Sequence, residues 1–141
     1  MGDTENAVAN FKQSIAIDPT MFESLNNLGT TYFRISNYEQ AERQFQEALR
    51  LKPQAVETRF NLGLCYQRLE RYPDAAREFE LAVQGAPEDA EALYQLGLSY
   101  EKLGRDRDAI LAFQRGLSQV RSPDLGDNIS EALNRVRGAS R

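Results

Sequence analysis

The chain has 141 residues, 27% of them charged and 41% apolar, a globular balance with length enough to bury a core. It carries no histidine, one cysteine and a net charge of −4, which removes the usual neutral-pH general base, His-based triads, an internal disulfide and a Cys-rich metal cluster. Residues 1–104 hold 10 Lys/Arg against 16 Asp/Glu and residues 105–141 hold 7 Arg against 5 Asp/Glu, so nucleic acid is a disfavoured partner.

The first element is a helix within residues 5–20, with Ala7, Val8, Phe11 and Ile15 apolar and Pro19 closing it. A second helix places Leu25, Leu28, Gly29, Tyr32 and Ile35 on one face. It breaks at Ser36-Asn37, where Asn37 with Gln40 three residues on has the form of a capping box. The third helix turns Ala41, Phe45, Ala48 and Leu49 inward and ends before Pro53.

From there the chain repeats itself. The segments NLGTTY, NLGLCY and QLGLSY begin at residues 27, 61 and 95, each 34 residues from the last. Pro19, Pro53 and Pro87 keep the same spacing, as do Ala7, Ala41, Ala75 and Ala109, and Phe11, Phe45, Phe79 and Phe113. Registers that agree on one period identify a repeat architecture. Glycine inside a helix costs about 1 kcal/mol relative to alanine, so Gly29, Gly63 and Gly97 require a packing reason. Two antiparallel helices approach closest where side chains are small, which predicts Gly29 against Ala41, Gly63 against Ala75 and Gly97 against Ala109, with the phenylalanines filling the wedge beyond.

This pattern resembles the tetratricopeptide repeat family, carried in the second unit by Leu62, Gly63, Tyr66, Ala75, Phe79, Ala82 and Pro87. The resemblance implies an all-α, right-handed superhelical solenoid of antiparallel helix pairs in one domain. Its parts are a half repeat at 5–20 (second helix only), repeats at 22–55, 56–89 and 90–121, and a capping helix at 127–138. Arg59 departs from the pattern where Leu25 and Leu93 stand, and Gly116 replaces the alanine of Ala48 and Ala82. Asn128 with Glu131 forms a second capping-box candidate after the turn-like SPDLGD, and Ile129, Leu133 and Val136 make the stripe that would close the array.

At the other end the half repeat lacks its covering helix. Truncation of a longer array accounts for that, with self-association through Ala7, Val8, Phe11 and Ile15 as the alternative, giving a homo-oligomer.

In such repeats the first helix of each pair lines the concave groove. Spacing places Glu23, Glu57 and Glu91 at one rim, then Asn26, Phe60 and Tyr94, an amide row of Asn27, Asn61 and Gln95, and Thr30, Leu64 and Leu98. Phe33, Gln67 and Glu101 follow, and Arg34, Arg68 and Lys102 form the other rim. The charged rows also complement the helix dipoles, so the amides are the better indicator: they offer a donor and an acceptor to an extended peptide backbone.

Some members of the family grip a C-terminal carboxylate with a two-carboxylate clamp. Asn61 matches one clamp position, but Glu91 and Gln95 stand where cations are needed. Cys65 occupies a small-residue packing slot.

The expected function is a non-catalytic protein-interaction scaffold holding a peptide of a protein partner in the groove. The alternatives are an assembly module acting through the half repeat, or a targeting domain cut from a larger protein. No cofactor or metal is expected. No apolar run approaches the ~18 residues of a membrane span, so membrane insertion is not expected. Residues 1–10 lack a basic-then-apolar leader, and the expected location is cytoplasmic unless a leader was removed from a longer parent.

Overall fold

The sequence period reappears as helix starts. The helices are α1 (Gly2–Ile17), α2 (Phe22–Arg34), α3 (Tyr38–Leu51), α4 (Val56–Arg68), α5 (Tyr72–Gly85), α6 (Ala90–Lys102), α7 (Asp106–Gln119) and α8 (Pro123–Ala139). Starts at 22, 56 and 90, and at 38, 72 and 106, are each 34 residues apart. A computed structural model describes residues 2–17 and 21–140, with the backbone alone for residues 11 and 13–17. The fold is all-α among the described residues, as the sequence implied. The chain divides into two compact units, Met1–Glu70 and Arg71–Arg141.

In the first unit α2 packs on α1, α3 on α2 and α4 on α3. Its core is Leu25, Leu28 and Tyr32 of α2, Ala41, Phe45 and Ala48 of α3, and Leu62, Cys65 and Tyr66 of α4. In the second unit α5, α6, α7 and α8 pack in succession around Phe79, Leu93, Leu96, Phe113, Ile129, Leu133 and Val136.

The glycines do have a packing reason, and it differs from the expected one. A Cβ added to Gly29 would lie 2.6 Å from Cε1 of Phe45, and one added to Gly97 would lie 2.4 Å from Cε1 of Phe113. The atom each glycine makes way for is therefore the phenylalanine ring, four residues beyond the alanine assigned to it. Gly116 has a separate cause. A Cβ there would meet Ile129 Cδ1 at 3.3 Å, so α8 occupies space that an alanine methyl would contest.

The Asn37 capping box does not form: Asn37 precedes α3, but its side chain makes no capping bond. Its backbone N–H, which a capping box would satisfy from Gln40, already donates to the Tyr32 carbonyl at 2.9 Å, while Ser36 N–H donates to Phe33 at 2.9 Å. Those two bonds are a Schellman motif ending α2, with Ser36 left-handed at φ 61°. The same two bonds recur from Arg105 to Tyr100 and from Gly104 to Glu101, and Gly104 holds φ 70°, where glycine has no Cβ penalty.

The second capping box also fails. The capping helix expected at 127–138 begins at Pro123 with Ser122 before it, so Asn128 lies inside it. Proline is favoured at the first helical position because its missing N–H would be unsatisfied there anyway.

Arg59 reaches back instead of burying its head. Its Nε and Nη2 donate to the Pro53 carbonyl at 3.1 and 2.8 Å, tying the start of α4 to the preceding turn.

Candidate functional site

In the first unit α2 and α4 approach each other at Asn26, Thr30, Phe33, Asn61 and Leu64. The contact is made by polar groups: Thr58 Oγ1 donates to Asn26 Oδ1 at 3.0 Å. Thr58 is 1% exposed, so a buried hydroxyl finds its partner in an amide that the sequence had assigned to the groove. Thr58 itself was missed. It occupies the register of Ser24 and Ala92, a small-residue slot in which only a hydroxyl has something to offer an amide.

Between α2 and α4 lies a cavity of about 70 Å³ lined by Thr30, Phe33, Phe45, Asn61 and Leu64. Phe45 is the ring that Gly29 admits, so a groove register and a core register meet at one pocket. Phe33 is braced edge-on by Tyr38, with ring centroids 5.2 Å apart, and the Arg68 guanidinium lies 5.8 Å from its ring centroid. Asn27 and Thr30 are exposed, and Phe60, Asn61 and Leu64 are half-buried.

The rims differ in how far their charges are satisfied. Lys52 Nζ sits 3.4 Å from Glu23 Oε1 and 4.4 Å from the Phe22 ring centroid. That lysine, its bond to Glu23 and the backbone N–H bond Glu23 accepts hold the Glu23 carboxyl below its ordinary value, the backbone bond most strongly. Glu57 is exposed and, like Arg34 and Arg68, has no carboxylate–cation pair among the described residues.

The second unit presents α6. Here the amide Gln95 donates from Nε2 to Glu91 Oε1 at 2.8 Å, so this register offers a carboxylate-bound amide and no cation. Tyr94 is half-buried with its ring 6.1 Å from that of Phe113, and burial pushes its phenol up. Leu98 is half-buried and Lys102 exposed, with Lys102 Nζ 6.0 Å from the Tyr72 ring centroid. Glu101 is taken by α8: Arg135 donates to it through Nε at 2.7 Å and Nη2 at 2.8 Å. A bidentate partner one helix away is invisible to spacing alone.

Tyr100 Oη donates to Glu80 at 2.6 Å, joining α6 to α5, and burial followed by this bond raises its pKa. Arg105 stacks on the same ring, 4.3 Å from its centroid. These groups form a structural clasp between helices of the second unit.

Of the self-association residues, Ala7 and Val8 are half-buried, while the side chains of Phe11 and Ile15 lie outside the described residues. Among the described residues no three metal-ligating side chains are placed to hold a metal ion, and no helix is long and apolar enough to cross a membrane.

Cys65 is fully buried. Burial first, with the Glu42 charge second, pushes its thiol from 9.0 up to about 12. The folded chain therefore keeps a proton that the unfolded chain releases between about pH 9 and 12, and stability should fall as pH rises through that window. Cys65→Ala should remove this part of the alkaline decline in denaturant titrations. An unchanged decline would assign it to other groups.

A profile of the tetratricopeptide repeat matches residues 26–88 and 66–125, and a second profile of the same repeat matches residues 1–21. No curated protein matches the sequence. The fold is similar to the crystal structure of MamA, with TM-score 0.83 and 22% identity over 99% of this chain and 90% of that one. It is also similar to the first TPR of Spaghetti (RPAP3) bound to the HSP90 peptide SRMEEVD, with TM-score 0.78 and 19% identity over 84% of this chain and 92% of that one. The type III secretion chaperone SycD of Yersinia enterocolitica, in complex with a peptide of the translocator YopD, gives 0.79 and 16% over 84% and 94%. At these identities the likeness is one of fold.

Proposed function

The chain belongs to the tetratricopeptide repeat family, and from that premise we propose that it is a non-catalytic interaction scaffold that binds a peptide segment of a protein partner. The observation that carries this reading is the pocket of Thr30, Phe33, Phe45, Asn61 and Leu64. It combines an apolar floor with an amide able to meet a peptide main chain. Two proteins of similar fold, the RPAP3 repeat domain and SycD, hold peptides, which supports a peptide as the ligand class. The bond between Gln95 and Glu91 speaks against a clamp for a free C-terminal carboxylate, so the peptide needs no free terminus.

A peptide-library screen followed by titration tests the proposal. Affinity should be around micromolar, about 8 kcal/mol, since a short peptide is ordered as it docks. Asn61→Ala should weaken binding several-fold, and Tyr94→Ala tests the α6 face in the same way. Glu23→Ala should matter little, because that carboxylate is already held by Lys52. Peptides that bind but ignore both Asn61 and Tyr94 would place the site elsewhere on the molecule.

A further inference from the structure

The pocket between α2 and α4 has a size, a wall and a charge, and together they restrict what can enter it. An apolar cavity of 150 Å³ accommodates benzene, so one of about 70 Å³ has room for roughly three or four carbons. A branched aliphatic side chain matches that volume better than an aromatic ring does.

Two of the pocket walls are braced by their neighbours. Phe45 is 0% exposed and pressed against Gly29, Phe33 is held between Tyr38 and Arg68, and the Thr58–Asn26 bond ties the two helices together. Bracing of this kind favours ligands that match the pocket as it stands, because less ordering is needed on binding.

The charged side chain that the structure places at a pocket wall is positive. Phe33 lines the cavity, the Arg68 guanidinium lies over Phe33, and Arg34 follows Phe33 in sequence, exposed at the end of α2. Neither arginine has a carboxylate partner among the described residues. Among the groove-register carboxylates of α2 and α4, Glu57 has no cation partner among the described residues and lies eleven residues before Arg68 on α4, or ~16 Å along the helix. Glu23 is matched by Lys52.

Resting on the peptide-binding reading above, we infer that the α2–α4 pocket takes one Val, Ile or Leu side chain from an extended internal peptide segment that carries an Asp or Glu within two residues of that anchor. The carboxylate of the ligand meets the guanidinium of Arg68, with Arg34 adding to the positive field. Asn61 at the pocket rim pairs with the main chain beside the anchor. Arg is suited to the charged contact because its planar fork can donate to a carboxylate while its face stays over an aromatic ring.

The experiment is selection from a random nonapeptide library on the whole chain, followed by titration of the selected sequences as N-acetylated, C-amidated peptides. The expected consensus is an aliphatic residue with an acidic neighbour. Leu64→Phe, which fills the pocket, and Arg68→Gln, which removes its charge, should each weaken binding at least tenfold, while circular dichroism stays unchanged. Replacing the anchor by Phe, or its acidic neighbour by Lys, should have the same effect on the wild-type chain. Rising salt should weaken the acidic peptide more than its Asn or Gln counterpart.

Selected peptides with aromatic anchors or basic neighbours would overturn the inference while leaving the peptide-binding reading intact, provided Asn61→Ala or Tyr94→Ala still weakens them. Binding that ignores Leu64→Phe and Arg68→Gln but responds to Tyr94→Ala would overturn it likewise. Peptides insensitive to every one of these substitutions would remove both readings together.

Discussion

Phe113→Ala should destabilise the protein by about 3–5 kcal/mol, the cost of losing a large buried ring and leaving a cavity. At about 2–4 °C per kcal/mol for a chain of this size, the melting temperature should fall by roughly 10 °C. Phe113 is 0% exposed, and its ring covers Gly97 so closely that an added Cβ would lie 2.4, 2.6 and 2.8 Å from three ring carbons. Gly97→Ala should therefore also destabilise, by about 1–3 kcal/mol of overpacking, reduced by the ~1 kcal/mol that alanine gains in a helix. The two effects share one cause, which makes them non-additive. In a Phe113→Leu background the ring edge is gone and Gly97→Ala should approach neutrality. Denaturant titration of the double-mutant cycle measures this. Additivity within about 0.5 kcal/mol would mean that ring and glycine act independently, and the packing account of the glycines would fail.

The glycines also show how far a sequence can be read. The 34-residue period located α2 to α7, because identical spacing of small, aromatic and proline positions has no other economical cause. Periodicity reports which positions face inward. It does not report which atom across the interface arrives first, and there the phenylalanine ring displaced the expected alanine.

The turns were harder for a similar reason. Positions 36, 70 and 104 share a register, and all three are left-handed, with φ 61°, 56° and 70°. Only the last is glycine, so Ser36 gave no signal of the Schellman ending and Glu70 none of its left-handed turn, and Asn37 was free to look like a cap. Pro123 and Gly126 misled in the opposite direction. Both punctuate chains elsewhere, yet here they sit in the first turn of α8.

For the candidate site, the sequence placed side chains on faces of α2, α4 and α6 but could not say which of them were already engaged. Asn26 answers to Thr58, Glu23 to Lys52, Gln95 to Glu91 and Glu101 to Arg135. Each of these bonds depends on helix separation or rotamer, which periodicity does not encode. What remains at the α2–α4 pocket is Asn61 and Leu64, with Arg68 over the Phe33 wall and without a carboxylate partner among the described residues.

Removing α8 should be the most damaging single change. Ile129, Leu133 and Val136 are 0%, 5% and 1% exposed, and burying each such side chain is worth roughly 1.5–3 kcal/mol. Ile129 also supplies the contact over Gly116, so its loss uncovers a place where α7 has no side chain of its own to shield the core. The Arg135–Glu101 pair contributes far less. Arg135 is about half exposed at 51%, and solvent-screened pairs of this kind contribute about 0–1 kcal/mol. Two variants separate the terms. Arg135→Ala should lower the melting temperature by no more than a few degrees and leave solubility unchanged. Deleting residues 123–141 should lower it by 10 °C or more, with aggregation visible in light scattering as the apolar side of α7 meets water. A deleted chain as soluble and as thermally stable as its parent would show that α8 decorates the second unit without closing its core. An Arg135→Ala loss as large as the deletion would move the main contribution from the apolar stripe to the ion pair.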